Sequence, residues 1–199
     1  LAEAVRQATA EVLAREQETL FCLGRAAEYR DPETGAHIQR MSHYSAHLAR
    51  HLGLPQAECD LLLRAAPMHD IGKIGIADTI LLKPGRLTPE ETQIMQQHAT
   101  IGWHILKDSG SIVLRAGGEI AHTHHEKFDG TGYPRKLAGE AIPLHGRIVA
   151  VADVFDALTS DRPYKQAWPM ERAIAFLREH AGTHFDPRCV EAFLAQWND

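Results

Sequence analysis

Cysteine is scarce in this chain. The three present, Cys22, Cys59 and Cys189, are odd in number and lack paired spacing. That argues against a disulfide framework and a cysteine zinc site, and it fits a reducing, cytoplasmic setting. Long apolar runs are missing as well. No stretch nears the ~20 residues that span a bilayer and no signal peptide opens the chain, so no membrane partner is expected. Basic residues are outnumbered, 21 against 26 acidic ones, for a net charge of −5. A broad polyanion-binding surface, and with it DNA, is therefore not expected. Nowhere do β-branched residues alternate over a convincing strand length. The chain begins at Leu1 rather than Met, which suggests a piece cut from something longer.

What remains is helical. At 199 residues, with 44% hydrophobic and 24% charged residues, the chain suits one large domain with a proper core. Residues 1 to 29 form an amphipathic helix with a thin apolar seam of Val5, Val12, Leu13, Leu20 and Leu23, more a connector or dimer helix than a core element. "YRDPETGAH" breaks it. A second helix follows to about His51, closed by Gly53 and Pro55. A third runs from about Gln56 through "LLLRAAPMHDIGK". Thr88 caps "PEETQIMQQHATIGWHILK", with Pro89 at the first helical position and Glu91 completing a capping box. Further helices cover about 111–125, 143–160, 169–181 and 187–197. The fold expected is all-α.

Histidine is the outlier, with 13 copies. In "HDIGK", helical spacing puts His69, Asp70 and Lys73 on one face: a nitrogen ligand, a carboxylate able to bridge two cations, and an ammonium for a phosphate. A His–Asp pair can equally close a local hydrogen bond. Other donors recur on separate helices: His37, His98, His124, His125 and Asp153. Asp153 lies in the apolar run "IVAVADVFDAL", where an unpaired carboxylate would cost several kcal/mol and so calls for a cation. Imidazoles with carboxylates and no thiolates suit iron, manganese, zinc or nickel. A water between two such cations would ionise near neutral pH and attack phosphorus, so the residues by themselves imply a metal-dependent phosphohydrolase.

The ordered set H…HD…H…HH…D, with "HHEKFDGTGYP" and the trailing "SDRPYK" and "GTHFDP", closely resembles the HD-GYP family of cyclic di-GMP phosphodiesterases over residues 25–199. Residues 1–24 are then the connector helix of an upstream regulatory domain, and residues 25–199 an HD-type helical bundle. The resemblance implies that His37, His69, Asp70 and Asp153 serve one metal. Asp70 bridges to a second held by His98, His124 and His125. Glu33 matches a carboxylate that in some members helps hold a third; by its residues alone it could equally favour a helix N-terminus. Two or three divalent ions are expected, iron first, manganese as the alternative, with nickel and zinc admissible. Asp70 and Lys73 carry catalysis. Gly130 and Gly132 allow a tight loop that Tyr133 and Pro134 stiffen. Tyr133 either stacks on a guanine or packs the loop down, and Arg162 and Lys165 match phosphate-contacting positions.

The implied reaction is hydrolysis of cyclic di-GMP to pGpG, and onward to GMP. The implied partners are a homodimer mate through the N-terminal helix and a diguanylate cyclase at the GYP loop. Two rivals stay open: an HD-type hydrolase of another nucleotide, and a cyclic-dinucleotide-binding signalling module with little activity. His43, His47 and His51, at i, i+4 and i+8, have no accompanying carboxylate and are set aside. So are His104, His122, His145, His180 and His184. Trp103, Trp168 and Trp197 read as packing residues.

Overall fold

A computed structural model describes residues 2–29, 35–161 and 166–195. Among them no strand forms, only the isolated bridges Asp129–Ala138 and Ala181–Phe185, so the all-α expectation holds. Helix α1 (Ala2–Glu28) is followed by α2 (Gly35–His51) and α3 (Gln56–Ala65). Then come a short α4 (Asp78–Leu81), absent from the sequence reading, and α5 (Pro89–Leu106) and α6 (Ile112–Thr123). The chain continues through α7 (Leu144–Thr159), α8 (Met170–Glu179) and α9 (Pro187–Ala195).

Helix α7 is the axis. Residues Gly146 to Ala152 are all buried, as are Phe155 and Leu158, because a helix that is apolar on every side is stable only when surrounded. Helix α2 covers one flank and α6 another, while α8 and α9 close the far side. The core they share includes Leu48, Leu62, Met68, Ile120, Ile148, Phe155 and Phe193. Helix α1 divides along its length: Val5 and Val12 are exposed, whereas Leu20, Gly24 and Ala27 are buried against the domain.

Two local signals act as expected. Thr88 Oγ1 accepts from the Glu91 amide at 3.2 Å and Glu91 Oε2 accepts from the Thr88 amide at 2.8 Å, a reciprocal cap that fixes the start of α5. Gly53, at φ +79°, ends α2.

One expectation fails. The third helix does not run through "HDIGK" but stops at Ala65, since Pro67 lacks an amide hydrogen and its ring would strike the carbonyl one turn back. A 3-10 turn (Ala66–Met68) and a second (Ile71–Gly75) take over, with Asp70 between them at φ −106°, ψ 12°. Lys73 still meets Asp70, because the 3-10 turn brings i and i+3 into line, closed by the Lys73 amide donating to the Asp70 carbonyl at 2.9 Å. This turn lies on the backbone of α5. A Cβ at Gly72 would sit 1.9 Å from the His98 carbonyl oxygen, so only glycine permits the approach.

Candidate metal centre

Five separate segments converge on one cleft. The first turn of α2 supplies His37, the 3-10 turns supply His69 and Asp70, and α5 supplies His98. The end of α6 supplies His124 and His125, and α7 supplies Asp153. Helix α6 stops at Thr123, two residues short of expectation, so His124 is its C-cap and His125 already lies beyond it. That stop lets adjacent histidines face the same cleft, which a continuing helix would splay about 100° apart.

The donors form two groups, Asp70 with His98, His124 and His125, and His37 with His69 and Asp153. Within each, one ligand-type atom per residue lies within 4.8 Å of all the others. Asp70 joins the groups. Its Oδ1 is 3.2 Å from His98 Nε2 and 3.6 Å from His124 Nε2, while its Oδ2 is 3.3 Å from His69 Nε2. His37 Nε2 stands 3.4 Å from Asp153 Oδ1. Metal bonds of about 2.1 Å at tetrahedral to octahedral angles place neighbouring ligand atoms roughly 3.0–3.4 Å apart; three of the four separations fall in that range and the His124 one, at 3.6 Å, just beyond it.

Burial makes the case stronger. His98 Nε2, His124 Nε2 and Asp70 Oδ1 are buried and have no hydrogen-bond partner among the described residues. Each such atom costs on the order of 1–3 kcal/mol unless something is bound to it. Meanwhile the Nδ1 atoms are engaged outward, His69 on the Ala66 carbonyl (3.2 Å), His98 on that of Met95 (2.7 Å), and His124 on those of Ile120 and Ala121 (both 3.1 Å). That arrangement fixes the tautomer and turns each Nε2 lone pair inward. The residues fit divalent cations.

The electrostatics agree. Burial holds His124 and His125 below the usual histidine range, so both are neutral and ligand-ready. Burial opposes ionisation of Asp70, but Lys73 and His69 outweigh it and keep the carboxylate charged. For Asp153 burial is outweighed in the same way by His37 and His69 beside it, and its carboxylate also stays charged. Asp153 is less enclosed than the sequence implied, its side chain 19% exposed. Lys73 Nζ lies 2.8 Å from Asp70 Oδ2.

The loop after α6 is pinned from several sides. Buried Glu126 accepts the Arg135 amide at 2.8 Å and the Leu137 amide at 3.0 Å. A Cβ on Gly132 would lie 2.3 Å from the Lys127 nitrogen, and Gly130 adopts φ +82°. The Tyr133–Pro134 peptide is cis. The Tyr133 ring stacks on His125 with centroids 4.7 Å apart, and burial raises its phenol above the usual range, keeping it protonated. "GTHFDP" backs the loop, its His184 and Thr183 carbonyls accepting from Phe128 and Asp129.

Glu33, Arg162 and Lys165, like Trp197, lie outside the described residues. The histidines set aside stay apart from both donor groups. His43 bonds the Gln39 carbonyl, His47 and His51 face each other at 3.0 Å on the surface, His122 stacks on Trp103, and His145 pairs with Glu58. Sequence reasoning missed three partners. Asp156, buried, contacts His37 Nδ1 at 2.7 Å; Glu126 anchors the loop; and Asp186, in "GTHFDP", pairs with buried Arg147 at 2.6 Å. A second acid in the apolar run of α7 was the available signal for Asp156.

The family model described as "HD domain" matches residues 22–189. The chain belongs to the HD domain family. It is 54% identical over 184 residues to the cyclic di-GMP phosphodiesterase response regulator RpfG of Xanthomonas campestris, a match covering 92% of this chain and 49% of that protein. It is 51% identical to a cyclic di-GMP phosphodiesterase of Thermotoga maritima, over 89% of this chain and 48% of the other. A 3'3'-cGAMP-specific phosphodiesterase of Vibrio cholerae is 46% identical, over 92% and 35%. This HD-domain chain thus spans about half the length of the curated relatives it matches, or less. Among solved structures, a cyclic GMP-AMP specific phosphodiesterase of Vibrio cholerae shares the fold at TM-score 0.71 and 20% identity, covering 92% of this chain and 49% of that one. A HDG"Y"P protein from Bdellovibrio bacteriovorus does so at TM-score 0.64 and 21% identity, covering 85% and 54%. The HD-GYP resemblance and its helical fold are thereby borne out.

Proposed function

We propose that this chain is a metal-dependent phosphodiesterase that hydrolyses cyclic di-GMP to pGpG. The observation that carries the reading is the Asp70 carboxylate, which offers one oxygen to each of two donor groups beside the buried Nε2 atoms of His98 and His124. The names of the relatives above support the substrate class.

His37, His69, Asp70 and Asp153 would hold one ion and Asp70, His98, His124 and His125 a second, with Glu33 a candidate for a third. Iron is the first choice and manganese the alternative. Bound there, such ions lower the pKa of water to near neutral and offset phosphoryl charge. The chain's own groups do the rest. Asp70 fixes the spacing of the two donor groups. The Lys73 ammonium, at the edge of both, is placed to meet a non-bridging phosphoryl oxygen where negative charge develops. Tyr133, protonated and braced on His125, walls the site and offers a phenol donor. Arg162 and Lys165 would hold the more distant part of the dinucleotide. An upstream regulatory domain, a homodimer through α1 and a diguanylate cyclase at the loop complete the proposed partners.

One relative named for 3'3'-cGAMP keeps a second cyclic dinucleotide in view. Anaerobically purified protein, loaded separately with Fe(II) and Mn(II), should be assayed on cyclic di-GMP, 3'3'-cGAMP and a nucleoside monophosphate ester. Turnover of cyclic di-GMP to pGpG is expected. Faster turnover of cGAMP would reassign the substrate, and binding without turnover under either metal would make this a binding module.

A further inference from the structure

His37 is held differently from its neighbours. His69, His98 and His124 each set Nδ1 against main-chain carbonyls, whereas His37 sets Nδ1 against a carboxylate, Asp156 Oδ2 at 2.7 Å. Asp153 and Asp156 are three residues apart on α7, hence on one face, and they flank one ring. Asp153 Oδ1 lies 3.4 Å from Nε2, and Asp156 Oδ2 lies 2.7 Å from Nδ1. Asp156 is itself fixed. Arg40, three residues after His37 on α2, donates Nε to its Oδ1 at 2.6 Å and Nη2 to its Oδ2 at 3.0 Å. Arg40 Nη2 also reaches Ser160 Oγ at 2.8 Å, and that hydroxyl lies 3.3 Å from Asp156 Oδ2. An acceptor-only carboxylate at Nδ1 requires the proton there, so in the neutral ring Nε2 carries the lone pair, on the side of Asp153 and His69. A carboxylate behind an imidazole also raises its basicity more than a carbonyl does.

We propose that Asp156 is a positioning residue that selects the Nε2-ligating tautomer of His37, with Arg40 as its clamp, so that affinity for the ion at His37, His69 and Asp153 depends on Asp156 while affinity at Asp70, His98, His124 and His125 does not. This rests on the metal-binding reading above. The competing account makes the cluster only a pin between α2 and α7, which would change stability without distinguishing the two ions.

Metal-free wild type, Asp156→Asn and Asp156→Ala should be titrated anaerobically with Mn(II) by calorimetry, with bound metal counted and thermal unfolding recorded before metal is added. Asp156→Ala should weaken one ion about 10- to 100-fold and leave another at wild-type affinity. Asp156→Asn, whose amide oxygen still accepts from Nδ1, should fall between. Equal weakening of all ions in step with a lower unfolding temperature, or no weakening, overturns the proposal. Should Asp156→Ala not fold, imidazole 15N shifts of metal-free wild type, followed to a pH at which His37 is neutral, still decide: the remaining proton must sit on Nδ1, and a neutral Nε2–H form refutes the assignment. A wild type that binds no Mn(II) would instead sink the metal reading, leaving the tautomer measurement to judge Asp156.

Discussion

At the scale of single residues, Asp70 and Lys73 illustrate how one 2.8 Å contact joins two distinct roles. Asp70 faces both donor groups, so its loss removes a ligand from each. Asp70→Ala should abolish hydrolysis and bring bound metal below wild type, and retained activity at full metal content would refute its bridging role. Lys73 is no imidazole or carboxylate ligand but an ammonium beside Asp70, and it should matter chiefly where phosphoryl charge grows. Lys73→Ala should lower kcat by about 100-fold with metal content intact. Arg162→Ala should mainly raise KM. Steady-state kinetics on cyclic di-GMP with metal analysis separate these outcomes, and a Lys73→Ala change confined to KM would reverse the assignment. His43→Ala, on an exposed side chain, is the control.

At the scale of elements, the cleft depends on how closely the 3-10 turn carrying Asp70 lies on α5. Gly72 is the point of contact, its absent Cβ leaving room for the His98 carbonyl and the Gly102 amide. Gly72→Ala sets a methyl against rigid backbone and must separate His69 and Asp70 from His98. Destabilisation of about 2–4 kcal/mol in denaturant unfolding is expected, together with weaker binding at both metal groups. Gly110→Ala, with nothing within 4 Å of the added atom, should change stability by no more than about 0.5 kcal/mol. Equal effects from the two would show that the turn does not depend on this approach.

For the molecule as a whole, the "GTHFDP" segment ties the loop to the bundle through an uncharged histidine. His184 stacks on Phe185 with centroids 4.2 Å apart, and burial, with Lys127 and His180 nearby, lowers its pKa to about 4. The unfolded chain takes up that proton near pH 6.5. Between those values the unfolded state therefore binds more protons, and stability falls as pH falls. Metal-free protein should lose about 2 kcal/mol from this group between pH 7 and 4, allowing for its part exposure. His184→Gln should flatten that slope, as urea unfolding at a series of pH values would register. An unchanged slope would place the acid sensitivity elsewhere.

The sequence by itself determined what is local or chemical. Helical periodicity, the Thr88 capping box and the glycine and proline stops depend on residues a few positions apart, and most of those elements formed where expected. The donor set was legible because imidazoles and a carboxylate amid apolar residues are costly without a ligand, and the motif order linked His37 to Asp153 across more than a hundred residues. Tertiary structure decided the rest. Pro67, a local stop, ended the predicted helix, but only packing set the 3-10 turn that follows against the α5 backbone, through the Gly72–His98 approach. Packing also recruited Asp156, Glu126 and Asp186, whose partners are 119, 9 and 39 residues away. No periodicity encodes such pairs; each exists because folding buries a charge that must then find its counterpart.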